Sequence, residues 1–357
     1  MTEITAEDTD TIVVDNVEDE SIDFKYSITS YGADYPVDGL VARLNDEKIL
    51  IPKFQRQYVW KLNQASRFIE SLLLGLPVPG VFLSKDPESS KLLVIDGQQR
   101  LKTLQFFVNG VFSDDRKFRL KGVQEEFEGL TYDSLPEDTR IELDDYVIHA
   151  TVIRQDTPSD DQSSIYHIFE RLNTGGTPLQ SQEIRACIFF GEFNDLLFEL
   201  NETASYRAIY GRVNNRLKDQ ELILRFIALY FASDRYQKPL KGFMNEYMGY
   251  NRHLQHENRE EIVGAFVPTI DMMYKALGPK AFRVKVGINA AIFDSSMVGV
   301  AKRLKRGPIE SIESLRSIYN AFVEDADLID LLNSGTSDVA NVEARIGLAI
   351  SYFASVE

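Results

Sequence analysis

A chain of 357 residues exceeds what one small core serves, and 44% hydrophobic with 11% aromatic content describes a packed globular protein rather than a disordered one. A net charge of −16 excludes the overall basic field of a dedicated duplex-DNA binder, and the single cysteine, Cys187, excludes an internal disulfide framework or a Cys-only zinc site. No apolar run is long enough to cross a bilayer, and the acidic start MTEITAEDTD is unlike a signal peptide, so a cytoplasmic protein with no membrane partner is expected.

The first 24 residues hold nine acids and no Lys or Arg, and are expected to form a disordered, solvated tail. From Val37 onward VDGLVARLN has helical period, and KILIP reads as a short strand stopped by Pro52. LNQASRFIESLLLG carries a helical apolar stripe (Phe68, Ile69, Leu72, Leu73) and ends at Gly75, where a C-terminal glycine belongs. PGVFLSK and KLLVID read as strands joined by the turn-rich DPESS. RLKTLQFFVNG reads as a helix closed by Gly110, and DYVIHATVIR as a strand apolar at both parities, hence buried on both faces. From Asp160 the strands give way to helical spacing, from DDQSSIYHIFERLN and QSQEIRACIFF through to VANVEARIGLAISYFA. The expected fold class is α+β: a tail over 1–24, an α/β domain over 25–155 and an all-α helical domain over 156–357.

The sequence has no P-loop, no G-x-G-x-x-G and no H-E-x-x-H. His253 and His256 are three apart in NRHLQHENRE, but two further zinc ligands cannot be named, and a solvated polar turn is the expectation there. Cys187 lies in the apolar run RACIFF and reads as a buried structural thiol.

Chemistry concentrates in LLVIDGQQRLKTLQFF, Leu92 to Phe107. A strand-to-helix turn points free N–H groups and the positive dipole end outward, which suits an anion. Gly97 lets backbone approach a ligand, and Arg100 brings a planar donor fork matched to phosphate. Asp96 can hold a metal ion or orient water, and Gln98 or Gln99 can position water or read a base edge. Taken alone, an Asp-Gly-x-x-Arg turn is more simply a local salt bridge. Two further segments shift the weight. IPKFQRQYVW interleaves Gln55 and Arg56 with aromatics just after a strand, as a second phosphate or base contact would, although an aromatic core corner with a surface Arg also fits. In FERLNTGGTPLQSQEIR a helix ends at Asn173, and Arg171, Asn173, Thr174, Gly175 and Gly176 can close over a ligand, although a Thr-Gly-Gly helix C-cap is the plain alternative.

The motifs FQRQYVW, IDGQQRLKTL and FERLNTGGTPLQSQEIR, in this order, resemble the N-terminal domain family of GmrSD-type (type IV, modification-dependent) restriction enzymes, a former domain-of-unknown-function family in the ParB/sulfiredoxin-like superfamily. The resemblance covers about residues 30–190 by motif. It implies a ParB-like α/β fold and a nucleotide site at the Asp96–Arg100 turn, which corresponds to the phosphate-binding turn of the ParB pocket. Lys102 stands where the family commonly has a small polar residue, and adds positive charge that an anion can exploit; Thr103 joins it among the expected nucleotide contacts. Related proteins act in defence against phage and foreign DNA, where nucleotide hydrolysis licenses or regulates an attached nuclease. The HNH nuclease of full-length GmrSD enzymes has no counterpart motif here, since only His253 and His256 follow residue 190. A nuclease is therefore expected to be absent or on a separate subunit.

The expectation is a nucleotide-binding, NTP-hydrolysing regulatory module of a prokaryotic restriction-type defence system. Asp96, Gln98, Gln99 and Arg100 are its catalytic candidates. Mg²⁺ sits on Asp96, a nucleoside triphosphate is the substrate, and modified or phage DNA, a separate nuclease subunit and an oligomer are open as partners. A DNA nuclease using the same pocket and a non-catalytic nucleotide- or DNA-sensing interaction protein are the alternatives. Deleting residues 1–24 should leave the melting temperature and nucleotide affinity nearly unchanged in a thermal-shift assay, because so acidic a segment adds little core. A large drop would show that Ile12, Val13 and Val14 pack as an added strand.

Overall fold

The computed structural model describes residues 27–51, 58–86, 89, 91–157, 163–172, 179–284, 287–333 and 335–357. The acidic tail and the motif segments 52–57 and 173–178 lie outside them. Two compact units emerge: one runs up to Leu179 and takes in Ala186–Ile188, the other holds Gln180–Arg185 and Phe189–Glu357.

In the first unit the elements run β1 (Ser27–Pro36), α1 (Val37–Asn45), β2 (Ile49–Leu50), α2 (Leu62–Leu73), β3 (Val81–Lys85), β4 (Leu92–Asp96), α3 (Gln98–Val108), α4 (Glu137–Asp145), β5 (Val147–Thr157) and α5 (Ser163–Leu172). The five strands form one mixed sheet in the order β1-β5-β3-β4-β2. β1 pairs antiparallel with β5, β5 parallel with β3, β3 antiparallel with β4, and β4 parallel with β2.

Helices cover one face of this sheet because their apolar residues recur at helical spacing. Val37, Leu40, Val41 and Leu44 of α1, Phe68, Ile69 and Leu72 of α2, and Leu101, Leu104 and Phe107 of α3 share one core with Val81, Leu83, Val94, Ala150 and Val152 of the strands. Each such side chain contributes on the order of 1.5–3 kcal/mol when fully buried. Helix α2 ends as its sequence demands: Gly75 takes a φ of 65°, its N–H bonds Leu72 O at 3.0 Å, and Leu76 N–H bonds Ser71 O at 2.8 Å.

Two expectations change here. β5 is buried on both faces only in part: Ile148, Ala150 and Val152 point into the core and Ile153 is buried on the other face, while Val147 and His149 on that other face are exposed. Its outer neighbour β1 is an edge strand of mostly exposed residues that no apolar pattern announces. Strands also do not end at residue 160, since β6 (Arg283–Val284) and β7 (Gly287–Ile288) pair as a short antiparallel ladder.

The second unit is otherwise helical among the described residues. It comprises α6 (Ser181–Ile188, its last three residues counted with the first unit), α7 (Glu192–Asn201), α8 (Ala204–Tyr210), α9 (Lys218–Ala232), α10 (Leu240–Tyr250), α11 (Arg259–Leu277), α12 (Ala290–Leu304), α13 (Ile312–Val323), α14 (Ala326–Asn333) and α15 (Val339–Phe353). Helices α9 and α12 are buried almost all round. An ion pair joins them, Arg225 with Asp294: Nη2 donates to Oδ2 at 2.5 Å and Nε to Oδ2 at 3.0 Å. No described helix is long and apolar enough to cross a membrane.

Asp294→Ala should destabilise the protein by about 3–5 kcal/mol in urea unfolding, because it strands a buried guanidinium. The paired change Arg225→Met with Asp294→Leu should recover most of that loss. A single variant as stable as wild type would mean that water reaches the pair.

Candidate functional site

Strand β4 ends at Asp96 and α3 begins at Gln98, so one residue makes the turn. That residue is Gly97, with a φ of 99°, and a Cβ built on it would lie 2.5 Å from Val81 Cγ1. Both the backbone conformation and the packing therefore require glycine. As the residue capping the N-terminus of α3, Gly97 offers no side chain to the first N–H groups of the helix. Asp96 lies at the helix mouth, and its side chain is 44% exposed.

Arg100 is held by the protein itself. Its Nη2 donates to Asp96 Oδ2 at 2.8 Å, and its Nη1 donates to the carbonyls of Pro79 and, at 2.5 Å, Gly80. The side chain is only 15% exposed. Burial lowers the guanidinium pKa, and the Asp96 carboxylate opposes that shift. The local Asp–Arg salt bridge is thus present, and it carries two further bonds that the sequence did not announce, to the chain entering β3.

Gln99 also has structural partners. Its Oε1 accepts from Val59 N–H at 3.0 Å and Trp60 N–H at 3.3 Å. One turn on, the buried Thr103 hydroxyl donates to Gln99 O at 2.7 Å and lies 2.7 Å from the Tyr58 hydroxyl. Burial pushes Tyr58 up to about 12, against the lowering effect of the Thr103 bond. The Tyr58 ring meets Phe106 and Phe112 edge-on at centroid distances of 5.0 and 5.6 Å. The end of FQRQYVW is therefore docked on α3, and two of the three motifs meet through Gln99 and Thr103.

Gln98 is half-buried in the first turn of α3. Lys102 is half-buried one turn further on, where burial lowers its ammonium pKa; no acidic partner meets it among the described residues. Arg171 is exposed in the last turn of α5. Gln55, Arg56, Asn173, Thr174, Gly175 and Gly176 lie outside the described residues.

Beyond the third motif's glycines, Glu183 and Arg185 are buried within the second unit. Arg185 donates from Nε to Asn245 Oδ1 at 2.8 Å and from Nη1 to Glu221 Oε2 at 3.0 Å, while Glu183 Oε2 accepts from Arg216 Nε at 2.8 Å. Cys187 is buried. His253 Nδ1 lies 2.5 Å from Glu192 Oε2, and the His256 ring stacks on Tyr250 at 3.4 Å between centroids. Among the described residues no three His, Cys, Asp or Glu side chains are grouped to hold a metal ion.

Replacing Arg100 by Ala removes an ion pair and frees two carbonyls. It should cost about 1–3 kcal/mol of stability, read as a melting temperature several degrees lower, with Arg100→Lys intermediate. An unchanged melting temperature would show that these bonds contribute nothing and that the guanidinium is free to serve a ligand.

Residues 40–190 match the family model of the GmrSD restriction endonuclease, N-terminal domain. No curated protein matches the chain. The matched span begins in α1 and ends just past α6, so it includes the Asp96–Arg100 turn and both flanking motifs. Over these residues the chain resembles the N-terminal domain of GmrSD restriction endonucleases, which points to a restriction- or defence-type system.

Proposed function

We propose that the first unit is a ParB/sulfiredoxin-like nucleotide-binding domain that hydrolyses a nucleoside triphosphate and so regulates a restriction-type response to DNA. The observation that carries this reading is the turn itself: a strand ends on a half-exposed carboxylate, a required glycine follows, and α3 opens with no side-chain cap. The N–H groups at that helix start, with the positive dipole end behind them, are the phosphate receptor.

On this reading the candidates divide the labour. Gln99 and Thr103 hold the Tyr58–Trp60 backbone and side chains against α3. Arg100 adds positive charge while its Nη groups fix the turn, so direct phosphate contact falls to backbone N–H groups, to Lys102 and, from the sequence, to Arg56. Gln98 positions the attacking water. Asp96 keeps Oδ1 for a cation while Oδ2 is bonded to Arg100. One carboxylate oxygen fits Mg²⁺, which in nucleotide sites keeps several waters and takes other ligands from substrate phosphates. Bound there, Mg²⁺ would neutralise phosphate charge. Asn173, Thr174, Gly175 and Gly176, with Arg171, are assigned to closing the pocket on sequence grounds. DNA is the partner sensed, and the cutting activity resides on a separate nuclease subunit.

Isothermal titration against each nucleoside triphosphate with Mg²⁺, paired with phosphate-release assays, tests the proposal. Asp96→Asn should lose at least about tenfold in turnover while affinity changes little. The purified chain should leave plasmid and glucosylated phage DNA intact with Mg²⁺ or Mn²⁺, with or without nucleotide. Cleavage abolished by Asp96→Asn would instead make the turn a nuclease site, and absence of nucleotide binding would sink the proposal.

A further inference from the structure

The second unit carries a pocket that the nucleotide site leaves unexplained. It lies along α10, against the turn Ser233–Arg235 that follows α9, and is lined by Ala232, Arg235, Phe243, Glu246, Tyr247 and Tyr250. Phe243, Tyr247 and Tyr250 fall at i, i+4 and i+7, so they share one face of the helix. Phe243 and Tyr247 are buried and form the floor, and the Tyr247 hydroxyl donates to Glu257 Oε2 at 3.3 Å. The volume is about 160 Å³, close to the ~150 Å³ of a cavity that holds one benzene ring.

Tyr250 continues the stripe past the core and is 46% exposed. Polar planes cover its ring instead of apolar side chains. The His256 ring lies at 8° to it and 3.4 Å between centroids, and the Arg235 guanidinium stands 5.1 Å from its centroid. Neither His256 nor Arg235 has a side-chain hydrogen bond or ion pair among the described residues, so the Tyr250 ring is what holds them. A cation over an exposed ring contributes about 0.5–1 kcal/mol, and such a contact would account for the stack taken alone.

Its place says more. Tyr250 and Arg235 both line the pocket, so an aromatic face and an unpaired guanidinium meet over a space the size of one ring. The chain carries a net charge of −16, yet no carboxylate pairs with Arg235 among the described residues. Aromatic rings and guanidinium planes are the surfaces on which unstacked bases rest, and a guanidinium also takes phosphate. The Glu246 carboxylate lies at the same rim and suits the N–H groups of a base edge. A phenyl ring from a protein partner would instead set apolar edges against both charges.

We propose that this pocket takes one unstacked base of single-stranded DNA, which makes the second unit a DNA-contacting unit. The assignment rests on the DNA-sensing part of the reading above and not on nucleotide hydrolysis. The base stacks against Tyr250 where Arg235 now stands. The guanidinium, which no hydrogen bond restrains, swings to the phosphate beside that base. Phe243 and Tyr247 supply the apolar floor, and Glu246 accepts from the base edge.

Fluorescence polarisation of the full chain with a labelled single-stranded oligonucleotide tests this. Tyr250→Ala should weaken binding about 5- to 150-fold with an unchanged melting temperature, and Tyr250→Phe should bind like wild type, because stacking needs only the ring. Arg235→Gln should weaken binding and reduce the slope of log affinity against log salt by about 0.7, the value of one phosphate contact on a single strand. This exposed position keeps the test if Tyr250→Ala folds poorly. An oligonucleotide of abasic residues should bind wild type no better than it binds Tyr250→Ala. Folded Tyr250→Ala and Arg235→Gln chains that bind the strand as wild type does, or a wild-type chain that prefers duplex, overturn this proposal and leave the DNA reading standing. A mononucleotide that competes at equal concentration would make the pocket a free-nucleotide site and overturn it as well. A chain that binds neither single nor double strand overturns the DNA reading and this pocket together.

Discussion

The first unit is organised around one half-buried cation. Arg100 reaches from the first turn of α3 to the Asp96 carboxylate at the end of β4 and to the Pro79 and Gly80 carbonyls at the entry to β3. Two strands and a helix are thereby fixed at one point, and the turn they frame is the one with a required glycine at its centre. A guanidinium suits this task because its planar fork serves several acceptors at once, which an ammonium on a flexible stem does not. The desolvation that lowers its pKa is offset in part by Asp96. Under the proposed nucleotide-binding reading, charge is thus held where phosphate would arrive, by groups already committed to structure.

The neighbouring polar side chains follow the same logic. Gln99 accepts two backbone N–H groups from a segment that forms no helix or strand of its own, and Thr103 accounts for the Tyr58 hydroxyl in an aromatic corner with Phe106 and Phe112. A loop pinned in this way is pre-organised, so a ligand does not have to order it on binding. The second unit uses buried charge differently: Arg225 with Asp294, and Arg185 with Glu221, are ion pairs that join helices across its apolar core. Such pairs bring geometric specificity rather than net stability.

Much of this was legible in the sequence. The α1, α2 and α3 stripes follow directly from apolar residues at helical spacing, and Gly75 and Gly110 close α2 and α3 as composition indicates. The Asp96–Arg100 turn and the change from an α/β to a helical pattern were equally readable, as was a buried Cys187. The strand β1 was not, because SITSYGADYP holds few apolar residues and gains its conformation from pairing with β5. Helix α10 does carry a helical stripe of its own, in Leu240, Phe243, Met244, Tyr247 and Met248.

The sequence by itself determined which residue types stand at the turn, because only glycine tolerates that backbone and only certain side chains carry the required donors and charge. What each of them touches was decided by tertiary structure. Whether Arg100 is a free fork or a clamp depends on the carbonyls of Pro79 and Gly80, twenty residues away, and whether Gln99 faces a ligand or a backbone depends on where Val59 and Trp60 pass. Asp34 and His149 stand 115 residues apart and meet only because β1 takes one register on β5. Local periodicity is written in neighbouring residues, whereas strand register and long-range hydrogen bonds arise only when the chain has closed on itself.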